Sequence, residues 1–471
     1  MEEVKFYNSL TKNVEPFEPK VEGKARIYNC GPTVYKRQHI GNMRRYLFAD
    51  FLHRTLEFLG YEVKEIMNIT DVGHLTEDDI DEGEDKVEKE AKSRKLSPQE
   101  LAEEQIGLFF EDLKKLNIRK AERYPRASEH IGQMRSLIKK LIENGHAYKT
   151  RTGVYFDVQS FPQYGKLSGN KLKDLKAGKR IEVREEKKHP ADFALWVLDN
   201  KHEQKWKSPW GVGYPGWHIE CSAMSLEYLG SGIDIHTGGE DNKFPHHENE
   251  IAQAEGATGE KFVRLWLHNS HLQMAGNKLA KREGKQITLD TVEKKGYSPL
   301  AFRLLVFGSH YRSKIDFSWE ALDEAQGNLE TIKQLLRAVS FSTPGVAPST
   351  PGVFPETAVI KRFGEALADD LNTPRAWAVF RDYVREINKR EQKQDGLATL
   401  MVMDKVLGVI EPLKLELEGE AVPDDVRMLV DRRERARKGG DFDEADRLRQ
   451  KVEKMGYKIE DTGSEPRVIK I

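Results

Sequence analysis

The chain has 471 residues, 38% apolar and 32% charged, with 76 Lys and Arg against 77 Asp and Glu and only two cysteines. That length allows roughly three domains of about 150 residues and a large buried core; the charge balance argues against a wholly basic nucleic-acid coat, leaving local patches open, and two cysteines make no disulfide framework. No apolar run approaches the roughly 18 residues of a membrane span, and the start Met1-Glu-Glu-Val-Lys-Phe-Tyr7 lacks an apolar signal core, which predicts a cytoplasmic protein.

In chain order, residues 24–30 predict a short strand ending at Cys30, followed by the turn Gly31-Pro32-Thr33 and then His39-Ile-Gly-Asn42. From Arg44 to Leu59 the apolar residues Leu47, Phe48, Phe51, Leu52, Leu56 and Leu59 recur at helical spacing, with Gly60 as the stop signal. Residues 61–70 predict the next strand. Strand, loop, helix and strand form a βαβ unit, which predicts an α/β fold with a parallel sheet. Ligands of such sheets bind at the carboxyl ends of the strands, where both Cys30 and Thr70-Asp71 fall.

The charge-dense stretch 77–95 predicts a solvated loop leading into a helix, with further helices at about 98–117 and 128–144. Residues 148–205 change character: short strands at 153–158 and 192–198 flank a basic linker, Lys171 to Arg180, as expected of an insertion between two halves of the α/β domain. The second half then carries a helix with Cys221, a strand at 233–236, a Gly238-Gly239 turn and a helix at 246–255. A polar loop, 276–284, follows, and from Pro299 the pattern is mainly helical. The stretch 342–355 is the clearest flexible linker, helices resume at 357–371 and 373–392, and 421–471 predicts a basic helix with a strand-like end.

Cys30, Cys221, Glu250 and one of His246 and His247 have the chemistry of a four-ligand zinc site. His246 and Glu250 lie four apart on a helix and His247 and Glu250 three apart, so spacing leaves both histidines open. The stretch lacks the second histidine of His-Glu-x-x-His, which argues against a zincin protease. His39-Ile-Gly-Asn42 sits between a strand end and a helix start, where unpaired N–H groups and the helix dipole suit a phosphate. His39 can donate to a phosphate oxygen, and Gly41 lets a purine approach the backbone. Lys278-Leu-Ala-Lys-Arg282 places cations where they could stabilise charge on a leaving pyrophosphate.

Taken together, these residues resemble the class I aminoacyl-tRNA synthetases, and among them the cysteinyl-tRNA synthetase family. The resemblance rests on Asn29-Cys-Gly-Pro-Thr-Val-Tyr35, His39-Ile-Gly-Asn42, Asn68-Ile-Thr-Asp71, Ser208-Pro-Trp-Gly211, Gly216-Trp-His-Ile-Glu-Cys-Ser-Ala-Met224, Asp234-Ile-His-Thr-Gly-Gly239, Phe244-Pro-His-His-Glu-Asn-Glu-Ile-Ala-Gln253, Lys278-Leu-Ala-Lys-Arg282, Asp369-Asp-Leu-Asn-Thr-Pro374 and Asp441-Phe-Asp-Glu-Ala-Asp446, nearly the whole chain. It implies a Rossmann-type catalytic domain over 1–315, with a connective insertion at about 120–207 and a lysine loop at 277–285. A helical, tRNA-stem-binding domain over 316–415 (linker about 342–356) and an anticodon-binding region over 416–471 complete the expected architecture.

The implied reaction joins L-cysteine and ATP, as Mg-ATP, into cysteinyl-adenylate with release of pyrophosphate, then passes the cysteinyl group to the terminal adenosine of tRNA(Cys). The resemblance places one zinc on Cys30, Cys221, His246 and Glu250, choosing His246 over His247, with the substrate thiolate bonded to it. A metal that selects a thiolate over an alcohol needs no editing site. Gly31, Thr33, Thr70 and Trp217 would contact the amino acid. Gly31, Thr33, His39, Gly41, Asn42, Gly238, Gly239, Lys278 and Lys281 would contact ATP, with His39, Asn42, Lys278 and Lys281 carrying the chemistry. A monomer is implied, without membrane association.

Two motifs depart from the family's usual form. Asn42 stands where His-Ile-Gly-His ends, and Ala280 and Arg282 replace the serines of Lys-Met-Ser-Lys-Ser. We expect Arg282 to add cationic charge at the ATP, so that Arg282→Ala raises the ATP KM or lowers kcat; unchanged constants would remove that role. The cluster Arg432, Arg433, Arg435, Arg437 and Lys438 resembles the family's tRNA-binding end, suited to phosphates, with aromatic side chains to stack on unpaired bases. Two other readings share these motifs: a ligase joining cysteine to an amino sugar in thiol biosynthesis, and an inactive RNA-binding paralogue.

Overall fold

A computed structural model of the chain describes residues 3–72, 75–77, 82–171, 186–199, 202–274, 277–278, 286–340, 355–420, 423–460 and 466–470. At its centre lies a parallel four-stranded sheet in the order Val263–Asn269, Ile233–Gly239, Lys24–Asn29, Glu62–Met67. Register places Ile27 beside Ile235 and Glu65. Every residue of Ile233–Gly239 is buried, as befits an inner strand of a parallel sheet covered on both faces. The expected Gly238-Gly239 turn is instead the end of this strand.

From Lys24–Asn29 the chain crosses through the helix Ile40–Phe58 to Glu62–Met67 on one side, and later lays Ile233–Gly239 on the other side. That reversal opens a crevice at the carboxyl ends of the two central strands, where Cys30 and Gly238-Gly239 stand. The helix begins at Ile40 rather than at Arg44, because His39 serves as its N-cap: its Nδ1 accepts from the Asn42 N–H at 3.2 Å. Gly60, at φ 95°, takes the left-handed turn that ends it.

The insertion is a five-stranded antiparallel sheet in the order 206–208, 211–215, 193–198, 153–156, 147–149. Its strand Gly211–Pro215 leads directly into the helix Trp217–Leu229, so the inserted sheet extends past residue 207. Asp71 fastens the insertion to the central sheet by accepting from the Ser128 N–H (2.9 Å) and hydroxyl (2.6 Å).

Packing does not follow the boundary expected at 315. One apolar core runs from Ile27, Leu47 and Phe51 through Phe302 and Phe307 into Phe363, Trp377 and Leu407, joining the first half of the sheet to the later helices. A second core, with Ile131, Phe156, Trp196, Ile219 and Trp266, contains both cysteines. At the joint of the first core, Asp50 is fully buried and holds three partners: Arg303 Nη2 (2.6 Å), Arg54 Nε (2.8 Å) and the Arg119 N–H (2.9 Å). Arg303 also donates to the carbonyls of Leu407 (2.6 Å) and Leu116 (3.0 Å).

The C-terminal part has a core of its own, Val426, Val430, Val452, Tyr457 and Ile459. It consists of the basic helix Asp424–Lys438, a second helix Phe442–Lys454 that the sequence reading omitted, and a hairpin of 457–460 with 467–470. Among the described residues no helix is long and apolar enough to cross a membrane. Lys281, Ala280 and Arg282, most of the basic linker and most of the 342–355 stretch lie outside the described residues.

Candidate active site

Cys30 ends the first central strand, and Cys221 lies in the helix Trp217–Leu229, which follows the inserted sheet. His246 and Glu250 open the helix His246–Thr258. One ligand atom from each of these four residues lies within 4.8 Å of the others, and all four are buried. A second set at the same spacing contains Cys30, His236, His247 and Glu250. Geometry alone therefore does not choose between the two histidines, and the two sets differ in their donors. Among the described residues, the set with both thiols is the one with His246, and paired thiolates with an imidazole and a carboxylate are the donors zinc takes.

His247 has other work. Its Nε2 lies 3.1 Å from Cys30 Sγ and its Nδ1 2.8 Å from His268 Nε2, and His268 Nδ1 meets the Ser9 hydroxyl at 2.9 Å. His236 Nε2 meets Glu250 Oε2 at 3.0 Å, and His218 Nδ1 meets His246 Nδ1 at 2.8 Å. This chain of buried imidazoles was not legible in the sequence, where His218 and His236 stood in recognised stretches without a role.

Charge in the cluster is arranged around Glu250. Burial alone would raise its pKa, but His236 and His246 outweigh that and hold it down to about 2. Burial would lower His246, and Glu250 and Cys221 reverse this, pushing it up to about 10. Burial raises the Cys30 thiol; for Cys221 the hydrogen bond with Cys30 raises it first and burial second. Burial holds His218, His247 and His268 well below their ordinary range. Binding of a metal by the two thiols displaces their protons, since the thiolate is the ligand form.

The other expected residues gather around this cluster. Trp217 stacks on the His246 ring with centroids 4.4 Å apart. Thr33 and Thr70 pair backbone to backbone, with the Val34 N–H on the Thr70 carbonyl at 3.1 Å and the Thr70 N–H on the Pro32 carbonyl at 2.9 Å. Gly31 lies so close to the next strand end that a Cβ there would fall 1.5 Å from the Asn68 carbonyl oxygen, and Asn68 Oδ1 accepts from its N–H at 2.8 Å. A Cβ on Gly238 would lie 2.5 Å from the His247 ring. Both positions require glycine because other groups already occupy the space.

Beside the cluster is a cleft lined by His39, Gly41, Asn42, Arg45, Gly239, Asp241 and the segment 269–272. Since His39 Nδ1 accepts from the helix backbone, its ring proton sits on Nε2, on a residue that lines the cleft. Asn42 donates to Gln38 Oε1 at 2.8 Å. Arg45, Asp241 and Asn269 are lining residues that motif reasoning missed. The Lys278 backbone pairs with Gln273, one residue beyond this lining.

The arginine cluster is divided. Arg432 is 57% exposed and meets Glu444 at 3.4 Å, and Arg437, 38% exposed, lies 3.9 Å from Glu434. Arg435 is exposed, with its Nε on the Asp431 carbonyl at 3.3 Å. Arg433 is 3% exposed and meets Glu434 at 2.5 Å, so it packs inside the small domain rather than facing solvent.

A parallel sheet with a cleft at its carboxyl edge, interrupted by an inserted sheet, fits the fold of a class I aminoacyl-tRNA synthetase, and comparison with known proteins assigns the chain to that class. Residues 16–327 match the family model for the class I (C) tRNA synthetase catalytic domain. A methionyl-tRNA synthetase from Mycobacterium tuberculosis superposes with a TM-score of 0.55 at 14% identity, covering 83% of this chain and 90% of that one. Residues 362–411 match the DALR domain and 420–467 the cysteinyl-tRNA ligase anticodon binding domain. The chain is 43% identical to a cysteine–tRNA ligase from Thermus thermophilus, over 98% of both chains, and 43% identical to one from Treponema denticola, over 97% of this chain and 98% of that one. The chain belongs to the cysteine–tRNA ligase family.

Proposed function

We propose that this ligase recognises its amino acid through zinc held by Cys30, Cys221, His246 and Glu250, and activates it with Mg-ATP in the His39 cleft before transfer to tRNA(Cys). One observation carries the reading: the chain's two thiols, distant in sequence, meet an imidazole and a carboxylate in a buried cluster beside that cleft. Zinc bound there supplies a Lewis acid that holds a thiolate and not an alcohol, separating cysteine from serine by chemistry where shape could not.

The chain's own groups do the rest. Trp217 walls the pocket over His246, and the paired Thr33 and Thr70 with Gly31 hold the amino-acid side of the cleft. His39 donates from Nε2 to a phosphate oxygen, Asn42 adds an uncharged donor at the helix start, and Gly41 and Gly239, which line the cleft, admit the adenosine. Lys278 and Lys281 bring cations to the departing pyrophosphate. Arg432, Arg435 and Arg437 face tRNA, with Phe442, 64% exposed, near Glu444, the partner of Arg432, as a stacking surface. The match of 420–467 to an anticodon-binding domain favours tRNA over an amino sugar as acceptor.

Cysteine-dependent ATP–pyrophosphate exchange, followed by charging of a tRNA(Cys) transcript, tests the whole reading. The separate core of the C-terminal part gives a sharper expectation. Ending the chain near Pro423 keeps the exchange rate and lowers kcat/KM for tRNA by at least about tenfold, or roughly 1.4 kcal/mol. Equal loss of both activities would refute that division of labour.

A further inference from the structure

The turn Asp369-Asp-Leu-Asn-Thr-Pro374 has no place in the chemistry above, yet its backbone is strained. Asp370 and Leu371 both hold positive φ, 55° and 50°, a left-handed pair that side-chain-bearing residues rarely adopt and that structures retain where something over-determines it. The turn buries the Asp370 carboxylate, which is in the helical domain. Its Oδ1 accepts from the Tyr7 N–H (2.8 Å) and the Tyr311 hydroxyl (2.6 Å), and its Oδ2 from Arg312 Nε (2.8 Å).

From Tyr311 the path leads to the nucleotide cleft. Its ring stacks on Phe48 of the helix Ile40–Phe58 with centroids 4.8 Å apart, and its carbonyl accepts from the Ser270 N–H at 2.8 Å. Arg44 of the same helix donates to the carbonyls of His271 (2.5 Å) and Tyr311 (3.3 Å). Ser270, His271 and Leu272 line the cleft. Leu272 and Gln273 then pair with Ile315 and Asp316 on one side, and Gln273 pairs with Lys278 on the other. One carboxylate therefore fastens the segment that walls the cleft and supports the strand leading into the lysine loop.

We infer that Asp370 is a positioning residue for cysteine activation: through Tyr311 and Arg312 it sets the 269–272 wall and the base of the lysine loop, so that the placement of the tRNA-binding helices is felt at ATP. The inference rests on the His39 cleft being the nucleotide site. It is tested on full-length Asp370→Asn, Asp370→Glu, Tyr311→Phe and His39→Ala by cysteine-dependent ATP–pyrophosphate exchange without tRNA, with zinc content measured in each.

Losing a hydrogen bond to a buried carboxylate is expected to raise the ATP KM or lower kcat about tenfold in Asp370→Asn. Tyr311→Phe changes the same constant by less, Asp370→Glu recovers part of it, and cysteine KM and zinc content stay within twofold. Wild-type exchange constants in Asp370→Asn and Tyr311→Phe, or a cysteine KM raised as much as the ATP KM, overturn the inference. Should Asp370→Asn fail to fold, Tyr311→Phe decides, since it removes one hydroxyl and keeps the stacked ring. If His39→Ala leaves exchange untouched, the cleft assignment fails; if it cripples exchange while the Asp370 and Tyr311 variants do not, only the positioning role fails.

Discussion

Cys221→Ser yields a folded protein without stoichiometric zinc, with a cysteine KM raised by at least about 100-fold, roughly 2.7 kcal/mol, and an ATP KM within about threefold of the parent. Serine keeps the volume of a side chain that is 1% exposed in the second core, so packing survives. It removes a thiolate from a four-donor set, however, and an alcohol does not ionise to replace it. The His39 cleft is built from other residues, which is why ATP is spared. Metal analysis and calorimetric cysteine binding are read alongside kinetics, so loss of zinc is seen independently of turnover. The companion pair His246→Ala and His247→Ala separates the two overlapping donor sets: the first loses the metal and the second retains it. A Cys221→Ser protein with one tightly held zinc and an unchanged cysteine KM would sink the assignment.

The parts of this site that rest on local spacing were legible in the sequence, and those made by tertiary contact were not. Cys30 at a strand end and His39-Ile-Gly-Asn42 before a helix are local features, and the βαβ reading placed both. The spacing of His246 and Glu250 put them on one helical face but could not set them apart from His247. That distinction depends on tertiary contact: His246 falls in the set with both thiols, while His247 lies against His268, which in turn meets Ser9. The start of the Ile40 helix was placed late because histidine is not an ordinary N-cap residue. The helix Phe442–Lys454 was overlooked because only Ala445, Leu448 and Val452 are buried in an otherwise charged segment. Arg433 looked like its neighbours in a basic run; only the fold turns it inward. The core that passes from the sheet into the later helices left no mark on composition at residue 315, since linker chemistry marks where a chain is loose and not where two domains share apolar surface.

The joint in that shared core is also where stability is most exposed to a single change. Asp50→Ala is expected to cost about 3–5 kcal/mol, the price of leaving a buried charge without its partner. Arg303 is fully buried; burial lowers its pKa to about 10, so it remains a cation at neutral pH, and without Asp50 it keeps only carbonyl acceptors. Burial by itself would raise the Asp50 pKa, but Arg303 and Arg54, with the Arg119 N–H, outweigh it and hold the carboxyl below its ordinary value of 3.8. A carboxyl depressed on folding contributes stability that is fully present above its unfolded pKa and is lost as pH falls through the folded one. This contribution is therefore complete at neutral pH and fades below about pH 4. Asp50→Asn keeps the shape and removes the charge, so its stability should vary less with pH than the parent's over that acid range, while lying below the parent's at pH 7. Denaturant melts at pH 7 and across pH 3–5 measure both effects. Because Arg303 holds the Leu407 carbonyl at 2.6 Å, the loss should loosen the helical domain against the sheet, and hydrogen exchange should show helices 299–307 and 397–407 losing protection together. A variant with parental stability at pH 7, or with an unchanged acid limb, would show that the Asp50–Arg303 pair does not hold the two together.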